Sequence, residues 1–297
     1  MKTRIISGIV MGVIVAAVIA AGLLWNPIVI TVAIALITMG AVYELLHNAA
    51  GIKDKASWIG ACVFSFLFIF TTDRSLQDKI YSAIPYSADT IISQSTKFYN
   101  YWANAFSALV ILYFVFAAIM ILKNHSDFTL AHIVSLVGLP VPYAYAFSCL
   151  GAVINHADGI YYLLLLLNFS SVCDMGAYFV GSAIGKHKLC PNISPKKTVE
   201  GAIGGIISSI IVTVILALCF GKSIWLPLVL TIPLCILGMI GDLFASAVKR
   251  HVGIKDYGNI MPGHGGVLDR FDSVILVAPL VSSVIDFIIA SGGVFGV

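Results

Sequence analysis

Ile224–Phe244 reads IWLPLVLTIPLCILGMIGDLF, residues 245–272 read ASAVKRHVGIKDYGNIMPGHGGVLDRFD, and Ser273–Ala290 reads SVILVAPLVSSVIDFIIA. Two apolar runs thus enclose a polar island. A bilayer span needs about 20 apolar residues, within a working range of roughly 17–25. Both runs meet that length, so the stretch decides for membrane-spanning helices. The island gathers the cations Lys249, Arg250, Lys255 and Arg270 and the carboxylates Asp256, Asp269 and Asp272. It also holds His251, His264 and a glycine-rich turn. This mixture at a membrane surface points to phosphate and metal chemistry.

The rest of the chain agrees with that class. Of its 297 residues, 60% are hydrophobic and 10% charged, against about a quarter charged in soluble domains. The expected fold is an all-α polytopic integral membrane protein. The net charge of +3 adds little. The six cysteines lie mostly in apolar runs without metal-ligand spacing and read as packing residues. Lys2 and Arg4 precede an apolar stretch that resembles a signal peptide, but a second apolar run follows at once, which favours a retained helix.

Nine candidate spans emerge: Ile5–Leu24, Ile28–Leu46, Ala56–Thr72, Ala103–Leu122, Leu130–Leu150, Ile160–Ile184, Ala202–Phe220, Ile224–Phe244 and Ser273–Ala290. Pro140 and Pro142 in the fifth, and Pro227 and Pro233 in the eighth, predict kinks or breaks. With a cytoplasmic N-terminus, thirteen of the 17 basic residues fall inside, and only Arg74, Lys79, Lys97 and Lys222 fall outside. That bias follows the positive-inside rule. The segment 73–102 is the longest polar interruption and is expected as a surface helix or helical hairpin on the outer side. The expected division is 1–125, N-terminal helices carrying this insertion, and 126–297, a catalytic membrane region.

Three features meet on the cytoplasmic side: the island, the loop from Gly185 to Gly201, and the intramembrane acids Asp174 and Asp242. An acid at the membrane centre costs about 2.5–3.5 kcal/mol even on the mildest scale, so such acids are rare and usually functional. Asp174 and Asp242 read as a metal or proton site, against the alternative of a carboxylate bonded between helices. Gly265 and Gly266 allow a concave turn whose N–H groups can hold an anion. Asp269 beside that turn would hold Mg²⁺, which takes one or two carboxylates plus substrate phosphates. Asp272 reads rather as a helix cap. Lys196, Lys197, Lys249, Arg250 and Arg270 serve equally as topology determinants or phosphate ligands. Ser194-Pro195 reads also as a helix start. Glu200 is a third metal acid or a lysine's partner, His264 a phosphate contact or turn filler, and Glu44 a helix-end partner. Together the residues suit a lipid phosphate attacking a nucleoside triphosphate, with metal and cations neutralising the crowded phosphates.

At these residues the chain resembles the phosphatidate cytidylyltransferases (CDP-diacylglycerol synthases). The resemblance rests on Ser246, Lys249-Arg250, Lys255-Asp256, Pro262, His264-Gly265-Gly266, Asp269-Arg270 and Asp272, with intact spacing. It extends to Asp174-Met-Gly-Ala-Tyr178 and Ser194-Pro-Lys-Lys-Thr-Val-Glu-Gly201. It implies transfer of CMP from CTP to phosphatidate, with pyrophosphate leaving and Mg²⁺ as cofactor, a second metal ion being left open. Asp174, Asp242 and Asp269 are then the catalytic acids, with Asp242 and Asp269 at the metal. Ser194, Lys196, Lys197, Thr198, Lys249, Arg250, Lys255, His264, Gly265, Gly266 and Arg270 are the expected substrate contacts. The implied partners are CTP, phosphatidate and membrane lipids, with no nucleic acid, in a homodimer. The implied location is a bacterial inner (plasma) membrane, with the site facing the cytoplasm. The rivals are a CTP-dependent enzyme acting on another lipid phosphate or polyprenol, and an ion-coupled transporter using Asp174 and Asp242 as relay acids.

Overall fold

The computed structural model describes residues 2–83, 91–261 and 265–290. His264, one of the expected phosphate contacts, and Ile84 of the 73–102 segment lie outside the described residues. Among the described residues, thirteen α-helices and one two-stranded ribbon follow in chain order: α1 (Lys2–Leu24), α2 (Ile28–Tyr43), α3 (Lys55–Thr72), α4 (Arg74–Ala83), α5 (Ile91–Lys123), α6 (Leu130–Gly138), α7 (Pro140–Ile154), α8 (Gly159–Leu167), α9 (Cys173–Ile184), β1 (Lys188–Cys190), β2 (Ser194–Thr198), α10 (Val199–Cys219), α11 (Trp225–His251), α12 (Leu268–Phe271) and α13 (Val274–Ala290). Single π-helical stretches extend α2 through Glu44–Ala49 and join α8 to α9 through Asn168–Val172. The chain is an all-α polytopic membrane protein. Among the described residues, seven helices are long and apolar enough to cross a membrane. Two shorter apolar helices, Val10–Gly22 and Val274–Ile288, fall within the first and last candidate spans.

Several boundaries move for local reasons. The fifth span breaks at Leu139, because Pro140 cannot donate to the preceding turn and instead opens α7 at its first position. The eighth does not break: Pro227 lies in the first turn of α11, where no intrahelical donor is needed, and Pro233 lies inside the helix. Helix α11 also runs past Phe244 to His251, with Lys249, Arg250 and His251 in its last turn. Cations there complement the exposed carbonyls, so part of the island is helical. The segment 73–102 holds α4, and its residues 91–102 are the start of α5. The loop before α10 is an antiparallel ribbon, with Lys188 paired to Thr198 and Cys190 to Ser194. Ser194 therefore sits in a strand, and Thr198 caps α10 by accepting the Gly201 N–H at 3.1 Å.

The chain packs as two compact units. Unit 1 comprises residues 1–155 and 256–269; unit 2 comprises 156–255 and 270–297. The polar island is thereby shared between them. In unit 1 the core is aromatic and aliphatic: Phe64 stacks on Tyr113 with ring centres 4.1 Å apart, and Leu46, Ile52, Phe68 and Leu136 are buried around them. In unit 2 small residues bring α9 onto α10, and a Cβ on Gly201 would lie 2.6 Å from the Ala177 carbonyl oxygen. Polar bonds lace the same helices. Asn168 Nδ2 donates to the Ser209 carbonyl at 3.0 Å and to Thr213 Oγ1 at 2.9 Å, and Thr213 meets Thr231 at 2.9 Å. Small residues and interhelical hydrogen bonds are what hold helices together in lipid, where apolar burial gives little.

Candidate functional site

Unit 2 contains a cavity of about 560 Å³. Helix α9 supplies Asp174 and Tyr178, the β1–β2 ribbon supplies Lys188, Ser194, Lys196 and Lys197, Thr198 caps the next helix, and α11 supplies Asp242. The close α9–α10 packing sets the ribbon beside the C-terminal end of α9. Glu200 fixes the ribbon's base: its carboxylate accepts the backbone N–H of Lys186 at 3.1 Å and of His187 at 3.2 Å, and meets His187 Nδ1 at 2.6 Å. Glu200 thus ties its carboxylate to the base of the ribbon. Lys197 Nζ donates to Asp242 Oδ2, and Ser246 Oγ lies 3.5 Å from the other oxygen, Oδ1. Lys196 is exposed, and Lys197 and Asp174 are half-buried.

Asp272 belongs to the same unit. A Cβ on Gly241 would stand 2.8 Å from the Asp272 carbonyl oxygen, so this residue lies directly against α11. Its carboxylate accepts the adjacent Ser273 N–H at 2.9 Å and faces Lys249 Nζ at 3.8 Å. Burial, and then the negative charge of Asp242, push the Asp272 carboxyl up to about 7. The expected cap is therefore part of a buried acid–lysine group. The remaining expected cations stand apart from the cavity wall. Lys249 is buried, Arg250 is exposed and donates to the Ile254 carbonyl at 3.3 Å, and Lys255 and Arg270 are exposed.

Unit 1 holds the glycine turn. Gly265 adopts φ 88°, as a tight turn requires of glycine, and its carbonyl accepts the Met261 N–H at 3.0 Å. The N–H groups after it do not form an open anion nest. Asp269 Oδ2 accepts the N–H of Gly266 at 3.0 Å and of Tyr257 at 2.7 Å. Glu44, fully buried, accepts the N–H of Val267 and of Leu268, each at 2.9 Å. A protein carboxylate thus holds the Gly266 N–H, one of the donors that the sequence offered to a phosphate.

The structure brings Asp174, Asp242, Ser194, Lys196, Lys197 and Thr198 onto one cavity and places Asp269, Gly265 and Gly266 in the turn of unit 1. Sequence reasoning passed over Lys188 and Tyr178 on the cavity wall, and Asn48, whose Nδ2 donates to the Tyr257 carbonyl at 2.7 Å. For Glu44, the rarity of acids in spans was the available signal. Among the described residues no three His, Cys, Asp or Glu side chains gather as a metal cage. The donor set still fits a hard divalent cation, since Mg²⁺ commonly takes one or two carboxylates and completes its shell with water and substrate phosphates.

The model of the cytidylyltransferase family matches residues 2–288. A phosphatidate cytidylyltransferase of Staphylococcus haemolyticus is 47% identical over 151 residues, covering 50% of this chain and 55% of that protein. One of Staphylococcus saprophyticus is 40% identical over 190 residues, covering 61% and 70%. One of Staphylococcus epidermidis is 47% identical over 130 residues, covering 43% and 50%. In the first and third cases the chain spans about half the length of the relative it matches.

Proposed function

The chain belongs to the cytidylyltransferase family, and we propose that it is a nucleotidyltransferase that makes CDP-diacylglycerol and pyrophosphate from CTP and phosphatidate. The observation that carries this reading is the unit 2 cavity, where Asp174 and Asp242 share one volume with Lys188, Lys196 and Lys197. The names of the relatives support the choice of substrate.

The chemistry asks little of a general base. A phosphomonoester has a second pKa of about 6 and is an oxyanion at neutral pH. Its oxygen bonds to the α-phosphorus of CTP while the bond from that phosphorus to the β-bridging oxygen breaks. Pyrophosphate leaves with the electron pair. The protein's task is to neutralise and align two phosphate groups. Lys188, Lys196 and Lys197 take the triphosphate charge, with Ser194 and Thr198 on the same wall. Asp174 and Asp242 are the catalytic acids that this cavity supplies, with Asp242 a metal ligand; a catalytic and metal-binding role for Asp269 rests on the resemblance alone. Bound Mg²⁺ would neutralise the phosphate oxygens. Lys249, Arg250, Lys255, His264 and Arg270 remain substrate contacts on the strength of the resemblance alone. We place the protein in a bacterial plasma membrane, as a homodimer, with the site toward the cytoplasm, where the basic residues cluster.

Position-labelled CTP tests the reaction. With purified protein, phosphatidate and Mg²⁺, label at the α-phosphate should enter the lipid, and label at the γ-phosphate should appear only in pyrophosphate. Label moving from the γ-position to the lipid would reveal a kinase and overturn the proposal. Reaction with a polyprenol phosphate but not phosphatidate would assign the chain to another lipid substrate.

A further inference from the structure

Glu44 ends the helical part of α2 and opens the π-helical stretch Glu44–Ala49. A π-helical turn widens the helix and re-aims its side chains, and such turns recur at functional sites. Here the two side chains that reach the turn are Glu44 and Asn48, four residues apart. Glu44 accepts the N–H groups of Val267 and Leu268; Asn48 donates to the carbonyl of Tyr257. The N–H of that same Tyr257 donates to Asp269, as does the N–H of Gly266. Four backbone donors and one acceptor around Asp269 are thus fixed by two carboxylates and one amide. The fit leaves no slack, because a Cβ on Gly258 would lie 2.2 Å, and one on Gly266 2.3 Å, from a Glu44 carboxylate oxygen.

We infer that Glu44 is a positioning residue for the transferase: it fixes the turn that orients the Asp269 carboxylate. The inference rests on the proposed reaction for its catalytic consequence, and on unit 1 geometry alone for the clamp. A buried carboxylate accepting two N–H groups is a strong, directional anchor. Removing its charge leaves buried donors unsatisfied and frees the backbone on which Asp269 stands.

Glu44→Gln is the informative variant. It keeps the volume and one acceptor but turns an amide NH₂ toward a backbone N–H. Hydrogen exchange at residues 265–268 should quicken, and kcat per folded molecule should fall roughly tenfold or more. The KM for CTP should stay close to wild type, since Glu44 lies outside the proposed triphosphate wall. Glu44→Asp, which keeps the charge with a shorter reach, should recover part of kcat. Gly258→Ala, which crowds the carboxylate without touching its charge, should lower kcat in the same direction. A purely structural Glu44 would lower the folded fraction while leaving kcat per folded molecule unchanged, and that result would overturn the inference. So would unaltered exchange at 265–268 in Glu44→Gln. Should wild type form no CDP-lipid while the variant still loosens these amides, the reaction reading would fall and the clamp would stand.

Discussion

The glycine turn of unit 1 and the lysine ribbon of unit 2 look alike as sequence. Each is a short polar stretch beside a membrane span, with charge and a promise of phosphate binding. The structure separates them by what their polar groups already hold. In the turn, the N–H groups of Tyr257, Gly266, Val267 and Leu268 are all taken by Asp269 and Glu44. In the ribbon, Lys188, Lys196 and Lys197 line an open volume; Glu200 ties down the base, and of these lysines Lys197 pairs with Asp242 on the cavity wall. Around Asp269 the described backbone donors are already held by protein carboxylates, whereas the ribbon offers charge to a ligand. Whether a motif binds depends on which of its donors the fold has already used.

The difference can be broken by substitution. Asp242→Ala removes a cavity carboxylate and leaves Lys197 without its partner; the largest loss is expected here, about a thousandfold in kcat. Lys197→Ala should raise the KM for CTP and lower kcat/KM by roughly ten- to a hundredfold, measured by steady-state kinetics. Lys188→Ala removes a more peripheral charge and should raise the KM for CTP about threefold with little change in kcat. An equal fall in kcat alone would move Lys188 out of the triphosphate site.

The smallest effect belongs to a scaffold residue of unit 1. Asp54 caps α3 by accepting both the N–H of Ser57, at 2.8 Å, and its hydroxyl, at 2.6 Å. Asp54→Ala should cost about 1 kcal/mol of stability, read as a lower melting temperature in detergent. The Ser57 hydroxyl holds the Asp54 carboxyl below its ordinary value. With a depressed folded pKa, the contribution is present at neutral pH and is lost as pH falls through the acid range. The gap between Asp54→Ala and wild type should therefore narrow at low pH.

Much of the fold was legible because hydrophobicity is written along the chain. The break at Pro140 was equally plain, since proline acts on its own turn. Helix α11 outran its apolar stretch because Lys249 and Arg250 prolong a helix about as readily as leucine does. The ribbon was hidden: Lys188–Cys190 and Ser194–Thr198 are too short and polar to show an alternating pattern. The acids Asp174 and Asp242 stood out by their rarity in spans. The lysines did not sort themselves, because topology and phosphate binding call for the same side chain. Glu44 meets Val267 and Leu268 more than two hundred residues away, a pairing that no local pattern announces.

The central claim is that the triphosphate of CTP goes to the ribbon cavity and not to the glycine turn. Photocrosslinking with a CTP analogue reactive at its γ-phosphate, followed by peptide mapping, tests it most directly. The account predicts label on the 178–198 peptide, lost in Lys196→Ala/Lys197→Ala and competed by CTP. Label concentrated on residues 257–268, and unchanged in that double variant, would contradict it.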